Sequence, residues 1–138
     1  MSKSVSTEIQ MRFADVDMLG HVNNVNLQHY YDVGKNDYFT RILRCGVRDW
    51  GPTGVVTAST RTDYLAQTYF SERVFVETWA ESVGNKSFTL RQRIVGVAAE
   101  GAAPEVKSES TSVLVAYDFD AGHSVEVPEA WRRGMTAE

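Results

Sequence analysis

The sequence predicts an α+β domain in which a curved antiparallel sheet wraps around one long central helix. Three observations predict it. Apolar residues recur at spacings of three and four over a single stretch, about Asn24 to Cys45. Everything after Gly54 alternates with the period of a half-buried strand. Short turn signals separate the alternating runs, which makes neighbouring strands antiparallel. One amphipathic helix with one apolar stripe must bury that stripe on the only sheet available.

Taken in order, Thr7 to Phe13 reads as a first strand with Ile9, Met11 and Phe13 on one face. A polar segment from Ala14 to Asn24 follows. The helix carries Leu27, Tyr31, Gly34, Tyr38, Ile42 and Cys45 as its stripe, with Asn23 or Asn24 as N-cap and Gly46 as a left-handed stop. Gly34 costs about 1 kcal/mol relative to Ala inside a helix, which predicts a neighbouring backbone in close approach. Val55 to Leu65 is the next strand. Arg73 to Val83 places Val74, Val76, Thr78 and Ala80 opposite Phe75, Glu77, Trp79 and Glu81. After a Gly84-Asn85 hairpin signal, Lys86 to Val95 sets Phe88, Leu90 and Ile94 against Ser87, Arg91 and Arg93. Val106 to Tyr117 is the last long strand, and the tail holds a turn at Ala121-Gly122 and one helical turn after Pro128. Phe75 and Trp79, lying among charges on the outer face, predict that a partner subunit covers the sheet.

Composition narrows the function classes. With 138 residues, 43% hydrophobic and 23% charged, the chain is neither disordered nor fibrous, and its length predicts a single domain over residues 1–138. The one cysteine, Cys45, excludes an internal disulfide and a Cys-rich zinc site, and its place on the apolar stripe makes it core rather than nucleophile. Residues Met1 to Phe13 lack the apolar region of a signal peptide, and no apolar run approaches the ~20 residues that span a bilayer. A cytoplasmic protein with no membrane partner is expected. The net charge is −4, from 14 basic and 18 acidic side chains without a basic stripe, so nucleic acid is not an expected partner. His21 and His29 are eight apart without a His-Glu-x-x-His pattern, and no Gly-x-Ser-x-Gly elbow or phosphate-binding glycine loop is present.

The densest polar stretch is Asp15-Val16-Asp17-Met18-Leu19-Gly20-His21-Val22-Asn23-Asn24. A helix start presents unpaired N–H groups and a partial positive charge, which polarise a carbonyl oxygen as charge develops on it. A carboxylate held just upstream can attack that carbonyl or deprotonate the water that does. That combination suits acyl transfer from an activated ester. The plain alternative is an ordinary capping and turn segment. Two Asp residues at i and i+2 repel unless one is hydrogen-bonded, and Asp15 is the candidate for a structural role that shapes the loop.

The run from Arg12 to Asn24 resembles the opening motif of acyl-CoA thioesterases of the hot-dog fold, the 4-hydroxybenzoyl-CoA thioesterase-like family. The similarity continues through Asn26, Tyr31 and Asp32, Tyr64, Val76-Glu77-Thr78, Lys86-Ser87-Phe88 and Val127-Pro128, covering about Glu8 to Trp131. The chain departs from the family at Leu27, where Tyr is common. The resemblance implies that Asp17 is the catalytic carboxylate, as nucleophile or general base, and that the backbone N–H of Asn24 polarises the thioester carbonyl. His21 is expected either to face the reaction site or orient Asp17, or to be an ordinary hydrogen-bonded loop histidine. It also implies a homodimer or homotetramer with active sites between subunits and CoA phosphates near surface basic side chains.

Tyr31 and Tyr64, with Tyr30, are candidates for lining the acyl pocket, and Lys86 and Ser87 for contacting substrate. Arg61, Arg91 and Arg93 read more simply as solvated strand residues. Asp32 is the rival catalytic carboxylate, because some hot-dog thioesterases place theirs on the helix. No metal or redox cofactor is expected, coenzyme A entering only as part of the substrate. The alternative function is a non-catalytic hot-dog protein that holds an acyl or aromatic ligand in the same cleft.

Overall fold

The computed structural model describes residues 3–44 and 51–137. Its elements are β1 (Val5–Ile9), α1 (Asn24–Tyr38), β2 (Thr53–Tyr64), β3 (Arg73–Val83), β4 (Ser87–Val97), β5 (Glu105–Asp118), β6 (His123–Ser124) and α2 (Glu129–Thr136). All strand pairings are antiparallel, in the order β1-β3-β4-β5-β2 with β6 on β5. The sheet curls around α1, as the hot-dog architecture requires.

Two buried clusters lie along α1. Toward its N-terminus, Leu27, Tyr30 and Tyr31 pack with Ile9, Val22, Val74, Val76 and Ile94. Toward its C-terminus, Tyr38 and Leu43 join Ala80, Phe88, Leu90, Leu114, Ala116 and the α2 residues Trp131 and Met135. Gly34 sits where a Cβ would come within 2.6 Å of Val76 Cγ1 and 3.1 Å of Gln92 Nε2. The close approach expected at Gly34 is real, but side chains rather than backbone make it. Gln92 Nε2 also donates to the Tyr31 carbonyl and to Thr78 Oγ1, both at 3.0 Å, tying the helix to the middle of the sheet.

Four local expectations need correction. The first strand ends at Ile9, and Phe13 is 83% exposed in a 3-10 turn, Phe13–Asp15. Asp15 causes this: its carboxylate accepts from Arg12 N and Arg12 Nη2 while its own N–H donates to the Arg12 carbonyl, turning the chain out of the sheet. The helix passes into a π-helical turn, Phe39–Leu43, which moves the buried position from Ile42 to Leu43 and ends at Arg44 with φ 63°. Cys45 and Gly46 lie outside the described residues. The strands β2 and β3 are not a hairpin; β2 pairs with β5, and residues 65–72 carry the chain across to β3. Finally, α2 runs for eight residues because Trp131 and Met135, one turn apart, both reach the core.

Outside the sheet, the Arg73 guanidinium lies 5.1 Å from the Phe75 ring centroid and that of Arg93 lies 5.5 Å from Trp79, so the chain's own arginines partly cover both rings. Among the described residues, no helix is long and apolar enough to cross a membrane.

Candidate active site

The site is built on the loop that joins β1 to α1. An isolated antiparallel bridge between Val16 and Val22 closes residues 16–22 into a small hairpin. Within it, Asp17 N–H donates to the His21 carbonyl at 2.8 Å and Gly20 N–H to the Asp17 carbonyl at 3.0 Å. Gly20 adopts φ +87°, the conformation that lets the hairpin close. Met18, 97% exposed, stands at the tip. Asp17 is half-buried, and its Oδ1 accepts from Leu19 N–H at 2.9 Å. Among the described residues no group donates to Oδ2, which is free to meet a substrate or a water.

Asp15 has the opposite environment. It is 2% exposed and accepts from Arg12 and from the buried Tyr30 hydroxyl at 2.7 Å. Burial alone would push its carboxyl up; the hydrogen bonds from Tyr30 and Arg12 outweigh that and hold it below its ordinary value. The Asp15 carbonyl also receives Asn26 Nδ2 at 3.1 Å and Asn23 N–H at 3.3 Å. Asp15 therefore fastens the loop to the helix, the structural role anticipated for it. Burial and the Asp15 carboxylate together raise the Tyr30 phenol above its usual value, so that hydroxyl stays a donor.

At the helix start, Asn23 is the N-cap, with its side chain accepting from Asn26 N–H at 3.1 Å and its carbonyl from Leu27 N–H. Among the described residues nothing accepts from the N–H groups of Asn24 and Val25. Asp17, His21 and Asn24 thus belong to one short hairpin-to-helix unit. His21 reaches Asp17 through its backbone carbonyl rather than its ring, and the ring packs edge-on to Tyr69 at 5.6 Å.

The remaining candidates are dispersed. Tyr31 is buried in the core, where its hydroxyl donates to Ser108 Oγ at 2.6 Å. Tyr64 is exposed at the end of β2, and its hydroxyl accepts from Gln28 on α1. Lys86 and Ser87 lie at the β3–β4 turn, against α2 and far from the Asp17 loop: Arg132 Nη2 donates to the Gly84 carbonyl beside them. Asp32 is exposed two turns along α1, within 4.0 Å of Lys35. Among the described residues, no three His, Cys, Asp or Glu side chains group to hold a metal ion.

Two further features support the site. A row of hydroxyls faces α1, with Ser112 paired to Thr60 and Ser110 to Thr62 at 3.2 and 3.1 Å. The alternation Thr60-Arg61-Thr62 and Ser108-Glu109-Ser110-Thr111-Ser112 was its signal. The crossing loop is held by Lys107, 3% exposed, paired with Glu72 at 2.9 Å and Glu105 at 2.5 Å. Burial would lower the Lys107 pKa, but the two carboxylates outweigh it and hold the ammonium above its ordinary value. Glu72 in turn accepts from Tyr69 N–H, and the Thr68 carbonyl accepts from Val22 N–H, so this loop braces the hairpin. Nothing in the spacing marks Glu72 and Lys107 as partners.

Comparison with known proteins identifies the family and the fold. An uncharacterised protein of Bacillus subtilis, YsmA, is 35% identical over 91 residues, which is 64% of this chain and 59% of that protein's length. A predicted thioesterase from Bacillus stearothermophilus superposes with a TM-score of 0.81 at 25% identity, covering 96% of this chain and 94% of that one. A thioesterase of Thermus thermophilus, solved with coenzyme A and Zn, superposes at 0.79 with 28% identity, covering 96% and 91%. The sequence model of the thioesterase-like superfamily matches residues 11–134. By its sequence over that span and by its sheet wrapped around α1, the chain belongs to the thioesterase-like superfamily and has the hot-dog fold.

Proposed function

We propose that the protein hydrolyses an acyl-CoA thioester to the free acid and coenzyme A. The observation that carries this reading is the Asp17 carboxylate, with one oxygen fixed by Leu19 N–H and, among the described residues, the other open, on the hairpin that leads into the α1 N–H groups to which those residues offer no acceptor. The thioester carbonyl oxygen accepts from Asn24 N–H, where the helix start stabilises the negative charge of the tetrahedral intermediate. Asp17 takes a proton from water as the water oxygen bonds to the carbonyl carbon. Collapse of the intermediate breaks the C–S bond, and the thiolate receives that proton. In the covalent variant an Asp17 oxygen bonds to the carbonyl carbon, the C–S bond breaks to release the thiolate, and water then hydrolyses the anhydride. A single turnover in ¹⁸O-water tests the covalent route: label in the Asp17 carboxylate requires the anhydride, with water attacking the Asp17 carboxyl carbon, whereas direct attack on the thioester labels only the product acid.

The coenzyme A bound to the Thermus thermophilus relative supports the substrate class. No cofactor takes part in this scheme. Lys86 and Ser87 lie at the far end of the protomer, so they contact substrate bound at Asp17 only across a subunit seam. A homodimer or homotetramer with active sites at such seams is accordingly part of the proposal. The test is a panel of acyl-CoAs assayed with a thiol reagent. Turnover by the wild type, lost in Asp17→Asn and kept in Asp32→Asn, supports the reading. A folded protein that binds but cleaves none of the panel overturns it in favour of a ligand-binding protein.

A further inference from the structure

Lys107 owes its burial to a break in the strand ladder. Along β4 and β5, Ile94 pairs with Ser108 and the next residue, Val95, with Val106, so Lys107 is the extra residue of a β-bulge. A bulge re-aims side chains, and here the adjacent residues Lys107 and Ser108 are both buried. Gly96 leaves the room: a Cβ there would lie 2.6 Å from Lys107 Cε and 2.8 Å from Glu72 Oε2.

This placement lets one residue grip both ends of the crossing loop, residues 65–72. At its start, the Lys107 carbonyl accepts from the N–H groups of Leu65 and Ala66, at 2.9 and 3.1 Å. At its end, Lys107 Nζ lies 2.9 Å from Glu72 Oε2, while Glu72 Oε1 accepts from Tyr69 N–H at 2.8 Å. Nζ also sits 5.9 Å from the Tyr69 ring centroid. The loop held in this way pairs with the returning arm of the Asp17 hairpin. Val22 N–H donates to the Thr68 carbonyl at 2.8 Å, and His21 forms an isolated antiparallel bridge with Tyr69. The His21 carbonyl in turn accepts from Asp17 N–H. An unbroken chain of ion pair, hydrogen bonds and backbone bridge thus joins Lys107 to Asp17. Lys107 and Glu72 are 3% and 6% exposed, and taking both charges out of water is expensive. Well-packed apolar side chains of similar volume often stabilise a fold as well or better, so stability alone does not account for the pair.

We propose that Lys107 is a positioning residue: through Glu72 and the crossing loop it fixes the hairpin that presents the Asp17 carboxylate to the start of α1. Its effect on turnover rests on the thioesterase reading; its effect on the hairpin rests on the hydrogen bonds alone. Glu105, the other carboxylate on the ammonium, lies on the same strand as Lys107 and neutralises it without holding the loop.

The test measures amide hydrogen exchange, urea midpoint and acyl-CoA turnover on the intact protein. Glu72→Gln keeps an acceptor for Tyr69 N–H and removes the charge that Lys107 pairs with. In that variant the Asp17 and Val22 amides exchange about tenfold faster, while those of Gly84 and Val125, near the β3–β4 turn, keep wild-type rates. Its kcat falls by about 10–10²-fold with KM within about twofold, as when a reacting group is displaced from bound substrate. Glu105→Gln changes neither readout. Lys107→Met alone strands the Glu72 carboxylate and lowers the urea midpoint. Adding Glu72→Gln to it restores the midpoint but leaves exchange fast and kcat low, whereas a merely structural pair would return turnover together with stability. Wild-type exchange at Asp17 and Val22 in Glu72→Gln overturns the proposal, as does recovery of exchange and kcat in the double variant. A wild type that cleaves no acyl-CoA overturns the thioesterase reading instead, and the exchange rates still decide on Lys107. If Lys107→Met does not fold, Glu72→Gln and the double variant carry the test.

Discussion

Asp15 and Asp17 stand two positions apart in one loop, and their surroundings could hardly differ more. Asp15 is buried and saturated with donors from Arg12 and Tyr30, while its carbonyl holds Asn23 and Asn26. Asp17 is half-buried on a hairpin with an exposed tip, and among the described residues its side chain accepts only from Leu19 N–H. The first carboxylate is spent on architecture, and the second is held at one oxygen and presented at the other. The pair teaches that residue type and spacing do not separate a carboxylate saturated by donors from one left available. The count of donors around each does.

The largest effect expected from breaking this contrast is on turnover. If the chain is the proposed hydrolase, Asp17→Asn lowers kcat by about 10²–10⁴-fold, the usual contribution of a positioned acid or base. Urea melts of the same variant stay within about 0.5 kcal/mol of wild type, because Asn still accepts from Leu19 N–H. A stability loss as large as that of an Asp15 variant would erase the distinction.

Asp15→Ala has the reverse signature. It strands the Tyr30 hydroxyl and Arg12 N–H without their acceptor and costs about 1–3 kcal/mol, read as a lower urea midpoint at pH 7. Activity of the remaining folded fraction falls only as far as the hairpin loosens.

The pH dependence follows from the depressed Asp15 pKa. Its carboxyl in the folded state lies below the ordinary value of 3.8, so the unfolded chain binds the proton more readily. The stability this group contributes is complete above that ordinary value and is lost as pH falls through the folded one. Thermal melts from pH 5 down to pH 2 therefore drop more steeply for wild type than for Asp15→Asn. Parallel curves would show that Asp15 is not the charged keystone of the loop.

The smallest effect is at Gly20. Nothing lies within 4 Å of a Cβ placed there, so Gly20→Ala meets only the strain of φ +87°. The expected cost is about 1–2 kcal/mol if the hairpin keeps its shape, and less if it relaxes. Relaxation shifts Asp17 and appears as lower kcat with nearly unchanged stability, which sharpens the distinction between the two halves of the loop.

Much of the fold was legible beforehand. The period-two faces of β3 and β4 were correct residue by residue, since a sheet with one buried face imposes that alternation directly. The N-cap was readable to one of two neighbours, Asn23 or Asn24, because capping is a local exchange between a side chain and the next turn, and the structure places it at Asn23. The pairing of β2 with β5 was not, because alternation says which face is buried and nothing about which strand lies alongside. The shift from Ile42 to Leu43 was hidden for a related reason: a π-turn changes the period in mid-helix, and a pattern drawn at 3.6 residues carries on past it.

The candidate site divides in the same way. Asp17, His21 and Asn24 are close in sequence, so a motif could find them, and the roles of Asp15 and Asn23 followed from elementary hydrogen bonding. Tyr31 fitted a pocket wall and a core position equally well by spacing, and only the partner at Ser108 decided between them. Lys35 and Lys107 are both single lysines in ordinary sequence contexts; one meets two carboxylates and the other an apolar cavity.

By itself, then, the sequence determined what depends on neighbours a few residues away: the helix and its cap, the faces of the strands, and the loop that carries the acidic motif. The tertiary structure decided strand order, which tyrosines are core, and which buried charges have counter-ions. Those outcomes depend on distances between residues tens of positions apart, and such distances are set by how the curled sheet closes on α1.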